Sequence, residues 1–271
     1  MHEPVHIVAF NSNRVKTPEE IELAAYKVLH EFKGKPVVLL FPEAVLSMFG
    51  RSRTKRRDGK VFARELHAIA AEHGNAFIAY SVVEEGRHTL FNSGYVITPY
   101  KKNHLGYMVY PKIRTYNNAF KQTDFDSSLV ESHGFNTENN AQRVARAAKR
   151  VKSFPNFKIN GHDVQFRVCA DADFHISERS DPIPKNMRKA QKPTLLLVSA
   201  SNLKHNPEHI ARLFLYGGIA VINDKVLGVN TIRKHNLLLG SKPRAQVRKL
   251  WEQKVNSEVG FGKFVVHKRQ H

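Results

Sequence analysis

PVVLLFPE, residues 36–43, is the stretch on which the reading of the whole chain turns. Pro36 to Phe41 is continuously apolar, too short for a helix and rich in β-branched and aliphatic side chains. It predicts a strand buried on both faces, as the central strands of α/β sheets are. Pro42 fixes the chain direction at the strand's end, and Glu43 follows. A lone glutamate is ordinarily a surface residue. At the end of a central strand, however, a carboxylate loses part of its water, which raises its proton affinity and suits it to general-base work.

Working outward, Thr17-Pro18-Glu19-Glu20 is a capping box with proline at the first helical position. It predicts a helix to about Phe32, stopped by Gly34. Residues 59–73 put Phe62, Leu66, Ile69 and Ala70 on one helical face, with Gly74 as the stop. Ala76–Val83, a turn at Glu84-Glu85-Gly86-Arg87 and a second strand through Ile97 read as a hairpin. A third strand, Leu105 to Tyr110, delivers Lys112. Residues 113–158 are polar and asparagine-rich, with a short basic helix near 139–152. Asp163–Val168 alternates and runs into Cys169. Thr194–Ala200 is another buried strand, 207–217 a helix, and Gly218–Asn223 a strand again. Helices alternating with partly all-apolar strands argue for a layered α/β fold. After about residue 241 the tail is basic and weakly patterned.

At 271 residues the chain could be one large α/β domain or two small ones. Its 41% hydrophobic and 25% charged residues are ordinary for a soluble globular protein. A single cysteine excludes an internal disulfide and a thiolate zinc cluster. It suggests a reducing, cytoplasmic setting. The start lacks the layout of a secretory signal, and no apolar run approaches the ~20 residues that cross a bilayer. No membrane insertion is expected. The unusual number is the net charge of +19, with a pI near 10.0. It predicts non-specific attraction to polyanions and says nothing of a reaction.

Three strand ends therefore stand in order: Phe41-Pro42-Glu43, Tyr110-Pro111-Lys112 and Val168-Cys169-Ala170-Asp171. A carboxylate, an ammonium and a thiol so delivered are the parts of a covalent hydrolase. A lone cysteine is commonly a buried small hydrophobe. Against that, Cys169 lies where open α/β sheets place their chemistry. A sharp strand-to-helix turn there would expose the sulfur and aim the next backbone N–H at a substrate oxygen. Lys112 carries the weakest local signal, because the chain is full of solvated lysines.

Taken together, these residues resemble the nitrilase, or carbon–nitrogen hydrolase, superfamily. Its pattern is a Pro-Glu after an apolar strand, a lysine after a later strand and a cysteine after another. Glu43, Lys112 and Cys169 match those positions in order. Leu90-Phe91-Asn92-Ser93-Gly94 is similar to the family's Tyr-Asn-Ser hairpin strand. Cys169-x-Asp171-x-x-Phe174 followed by Glu178 resembles the segment after its nucleophile, and His209 to Asn223 its late helix–strand unit. The resemblance covers residues 5 to about 225. It implies a single domain, residues 1–271, folded as a four-layer αββα sandwich of two mixed β-sheets, pairing into homodimers or larger homo-oligomers, with no metal or organic cofactor. It implies an amidase-type Glu-Lys-Cys hydrolase forming a thioester, with the Ala170 N–H in the oxyanion site. Asp171 resembles the amidase branches, where nitrile-cleaving members more often have tryptophan and glutamate after the cysteine. A small-molecule amide or N-carbamoyl substrate is thus favoured over a nitrile.

The chain departs from the family's pattern in places. The Lys112–Cys169 interval is long, which reads as an insertion at 113–158. The family's second glutamate has Glu131 as its nearest counterpart by spacing, and Asp173 stands where an arginine is common. Arg51 to Lys60 carries six basic residues in ten. It reads either as a solvated loop or, through Arg51 and Arg53, as recognition of an anionic substrate, while Asp173 favours a cationic group. His205 and His209 lack a third zinc ligand, and Asp171 needs no metal to explain it. There is no phosphate-binding loop and no serine-hydrolase elbow. Two other readings share the residues: a non-catalytic scaffold that binds nucleic acid or another polyanion, and an acyltransferase using the same thioester.

Overall fold

The computed structural model describes residues 3–10, 17–43, 54–86, 89–100, 105–112, 136–148, 150, 154–173, 194–200, 218–224, 228–233, 245–252 and 262–268. Local signals set the first elements. After β1 (Val5–Ala9), Thr17 caps α1 (Pro18–Glu31). Its hydroxyl accepts the Glu20 N–H at 3.2 Å, and the Glu20 carboxylate accepts the Thr17 N–H at 3.0 Å. Ile21, Ala25, Val28 and Leu29 form the buried stripe, and the chain turns through Gly34 at φ +78°. β2 (Val37–Leu40) is buried along its whole length. Val38 and Leu40 face one core cluster while Val37 and Leu39 face another, as the unbroken apolar run requires.

α2 (Arg56–His73) begins three residues before the expected start at Gly59. Part of the basic stretch is thus ordered structure, with Thr54–Lys55 forming β3 and Arg56 to Lys60 opening the helix. β4 (Ala76–Gly86) and β5 (Thr89–Ile97) form the hairpin, but Glu84, Glu85 and Gly86 stay in the strand, so the expected turn is displaced. The reason is lateral pairing: Thr54 and Lys55 lie beside Glu84 and Glu85, with Phe91 and Leu90 opposite. Glu84 is buried and accepts the Tyr95 hydroxyl at 2.5 Å. β6 (Tyr107–Pro111) follows, and then α3 (Thr137–Ala148). Asn140 of that helix exchanges two hydrogen bonds with the Leu90 backbone, which docks it on β5.

β7 (Asn156–Ile159) overlaps the end of the 113–158 stretch expected to be irregular, and β8 (His162–Val168) follows it. β9 (Leu195–Ala200), β10 (Ile219–Asp224) and β11 (Gly228–Arg233) come next. The segment after 241 contributes β12 (Ala245–Glu252) and β13 (Gly262–Lys268). β13 pairs antiparallel with β1, so a stretch read as weakly patterned extends the first sheet.

Among the described residues the first sheet has eight strands in the order β12-β13-β1-β2-β4-β5-β6, with β3 beside β4. The second has five, β11-β10-β9-β8-β7. Both are mixed, with parallel centres (β1, β2 and β4 in one, β8, β9 and β10 in the other). One core cluster joins their facing sides, including Val38, Leu40 and Ala79 from the first sheet and Phe166, Leu197 and Val221 from the second. α1 and α2 cover the first sheet's other face through a second cluster. The second sheet's other face gathers Leu196, Val198, Ala220 and Ile222. The helix expected at 207–217 lies outside the described residues. The fold is the expected α/β sandwich of two mixed sheets. No helix among the described residues is long and apolar enough to cross a membrane.

Candidate active site

The two sheets meet tightly where β2 ends. Phe41 continues the ladder by donating its N–H to Ala79 at 2.9 Å, and Pro42 then turns the chain toward the second sheet. The Glu43 N–H donates to the Ala200 carbonyl at the end of β9, at 3.3 Å. Two polar side chains from the second sheet secure this junction. The Ser199 hydroxyl donates to the Phe41 carbonyl. The Asn223 amide donates to the carbonyls of Phe10 at 3.1 Å and Leu40 at 2.7 Å.

Glu43 is 1% exposed, and so is Lys112. The Lys112 backbone is held by its N–H on the Asn92 carbonyl at 2.6 Å. Its ammonium donates to Glu43 Oε1 at 3.0 Å, and the Asn92 side-chain amide donates to the same oxygen at 2.8 Å. One carboxylate oxygen thus accepts from a cation and from a neutral donor in a site closed to bulk water. Stripping water from both charges is costly, and such a pair persists only when it is well bonded. Lys112, whose local sequence signal was the weakest of the three, is thus buried and paired rather than solvated like most lysines. Asn92, noticed in the sequence only for its motif, is part of the cluster.

Cys169 follows β8, whose Val168 is paired with Ser199 of β9. The next residues along the two parallel strands, Cys169 and Ala200, are therefore neighbours, and Ala200 is the residue that holds Glu43. The cysteine is partly buried and has φ +45°, in the left-handed region that side-chain-bearing residues seldom adopt. A 3₁₀ turn, Cys169–Asp173, begins there and contains Ala170. This is the sharp strand-to-helix turn expected from the sequence.

A polar network lies under that turn. The Val168 N–H donates to the Tyr110 hydroxyl at 2.6 Å. Arg167 is buried, donating to the Asp171 carbonyl at 3.0 Å and to Gln165 Oε1 at 2.7 Å, with its guanidinium 4.3 Å from the centre of the Phe154 ring. Burial lowers the Arg167 pKa to about 10, opposed by the nearby Tyr110 and Asp171. Asp171 is buried in this network. Neither Tyr110 nor Arg167 stood out as a site residue in the sequence. Their only signal was their closeness in sequence to Lys112 and Cys169. Arg51, Arg53, Glu131, His205 and His209 lie outside the described residues. Among the described residues no three His, Cys, Asp or Glu side chains are grouped as a metal site.

No protein-family profile matches the chain, and no curated protein matches its sequence. Solved structures do match. The NitN amidase from Nesterenkonia sp. AN1 is 16% identical, with 99% of this chain and 93% of that one covered and a TM-score of 0.55. A glutamate-to-glutamine mutant of the same amidase, with acrylamide added at its active-site cysteine, is also 16% identical. It covers 99% of this chain and 94% of its own, with a TM-score of 0.54. A CN-hydrolase superfamily protein of Xanthomonas campestris with an arsenic adduct in its active site is 17% identical. It covers 87% of this chain and 88% of its own, with a TM-score of 0.51. The likeness is one of fold: the chain has the fold of the carbon–nitrogen hydrolase superfamily, as the residues at its three strand ends implied.

Proposed function

We propose that the protein hydrolyses a non-peptide carbon–nitrogen bond, in an amide or N-carbamoyl compound, through a thioester on Cys169. The observation that carries this reading is the buried Glu43–Lys112 pair, joined through Ala200 to the strand end that bears the left-handed cysteine. Glu43 takes the thiol proton, and the sulfur attacks the carbonyl carbon. The ammonium of Lys112 and the Ala170 N–H stabilise the oxyanion in a water-poor site. The carbon–nitrogen bond then breaks, and Glu43 returns its proton to the leaving nitrogen. Water, deprotonated by Glu43, attacks the thioester. The carbon–sulfur bond breaks, releasing the acid, and the thiolate recovers its proton from Glu43. Glu131 is assigned as the supporting acid, and Asp173, Arg51 and Arg53 as residues that shape the substrate site. Homodimers or larger homo-oligomers are part of the same proposal, and light scattering tests them.

The test is a panel of amides, N-carbamoyl amines, ω-amidase substrates and nitriles, assayed for ammonia or amine release, with the acyl-enzyme trapped and weighed. Cys169→Ala should abolish release while leaving the fold intact, since it removes one small group. Full turnover by that variant on a genuine substrate would sink the mechanism. An acyltransferase would instead transfer the acyl group to added amine. The net charge of +19 favours a second, compatible reading, attraction to polyanions. Steep loss of nucleic-acid binding with salt would follow from charge alone, so only sequence preference or a defined stoichiometry would support a specific partner.

A further inference from the structure

We propose that Tyr110 is the positioning residue of the cysteine turn: its buried hydroxyl takes the backbone N–H of the residue just before Cys169 and so holds the thiol in place. This inference rests on the hydrolase reading for its chemistry, but its geometry stands on its own.

β7 pairs with β8 only as far as Asn156 and Gln165, and one further ladder bond runs from the Phe166 N–H to the Pro155 carbonyl at 3.0 Å. Two residues on, along the same edge, the Val168 N–H is beyond the end of β7. The Tyr110 hydroxyl takes it at 2.6 Å, in place of the strand carbonyl. The buried Asp171, two residues after Cys169, is near enough for its charge to act on the same hydroxyl. Just past the Val168 tie, Cys169 sits at φ +45°. Such a conformation persists in a side-chain-bearing residue only where the surroundings over-determine it. The Arg167–Asp171 bond at 3.0 Å closes the turn from its other side.

Two further features fit this role. Burial, together with the Asp171 charge, pushes the Tyr110 pKa well above its usual value, so the hydroxyl stays neutral where it meets the Val168 N–H. The ring is itself fixed, with Phe154 edge-on at 5.4 Å and Gly94 beneath it, where an added Cβ would come within 2.6 Å of Tyr110 Cε1. Tyr110 stands two residues before Lys112, so one short strand delivers the ammonium to Glu43 and the phenol to the cysteine turn. Phenylalanine would fill the same space but leave the Val168 N–H without its acceptor.

The test compares Tyr110→Phe, Asp171→Ala and Asp171→Asn in the full chain. The pH profile of Cys169 alkylation by iodoacetamide is measured beside melting temperature and, on a turned-over amide, kcat and KM. The chain has one cysteine, so alkylation reports Cys169 alone. Tyr110→Phe should shift the alkylation midpoint, because the thiol is no longer held in one place. It should lower kcat by about 10–10²-fold with KM nearly unchanged, as a misplaced reacting group does. Asp171→Ala and Asp171→Asn leave the Val168–Tyr110 bond in place and should shift the profile less than Tyr110→Phe does. A wild-type alkylation profile in Tyr110→Phe, whatever its melting temperature, overturns the proposal. If that variant fails to fold, fast hydrogen exchange of the Val168 amide in the wild type, which would show that its bond to Tyr110 does not hold, overturns it equally. Absence of any amide turnover by the wild type would refute the hydrolase reading and leave the alkylation test intact.

Discussion

Replacing Lys112 with methionine keeps the length of the side chain and removes its charge. Glu43 Oε1 then loses the cation at 3.0 Å and retains the Asn92 amide at 2.8 Å, in a cluster where Glu43 and Lys112 are each 1% exposed. Deleting one member of a buried ion pair costs about 3–5 kcal/mol, because the other charge is left uncompensated. The surviving Asn92 bond places this case near ~3 kcal/mol. For a chain of this size that corresponds to a fall of about 6–12 °C in melting temperature. Urea unfolding of Lys112→Met, Glu43→Gln and the double variant measures it directly. The double variant contains no unpaired charge, so it should be less destabilised than the sum of the singles by at least ~1 kcal/mol. A loss below ~0.5 kcal/mol in Lys112→Met, or strict additivity, would refute the buried pair and the reasoning built on it.

Gly94→Ala tests the close approach of the sheets, since the new methyl would meet Tyr110 at 2.6 Å, Val168 at 2.8 Å and Phe166 at 3.0 Å. None of the three can swing into solvent, so a loss of about 1–3 kcal/mol is expected in urea unfolding. An unchanged midpoint would mean that the sheets yield there. On the outer helices, burial, then the charges of Glu65 and Glu19, raise the Glu22 carboxyl pKa above 4.5. A raised carboxyl pKa removes stability as pH climbs through it, and nothing is lost below the unfolded value. Glu22→Gln should therefore melt above wild type at neutral pH and match it near ~pH 4 or below. A gain that persists in acid would show that the two carboxyls are not the cause.

Much of the architecture was legible because its causes are local. The Thr17 capping box, the Gly34 and Gly74 stops and the apolar run from Val37 to Leu40 act within a few residues, and each element formed where those signals put it. The misreadings fall where pairing is lateral. Gly86 looked like a turn, yet β3 and β5 hold Glu84 and Glu85 in the strand from both sides, and Gly86 itself pairs with Thr89 of β5. β13 carries a modest pattern of its own and is captured as a strand by β1, more than 250 positions earlier.

By itself the sequence determined which residues could do chemistry and the order in which strand ends present them: Glu43, Lys112, then Cys169. The tertiary structure alone decided which of many lysines is buried against Glu43, 69 positions away. It also recruited Asn92 to that pair and Tyr110, 58 positions from Val168, to the cysteine turn. The physical reason is that propensity and capping act over a turn or two of chain. Burial and partner choice arise only when two sheets close on each other and leave each polar group the neighbours that packing provides.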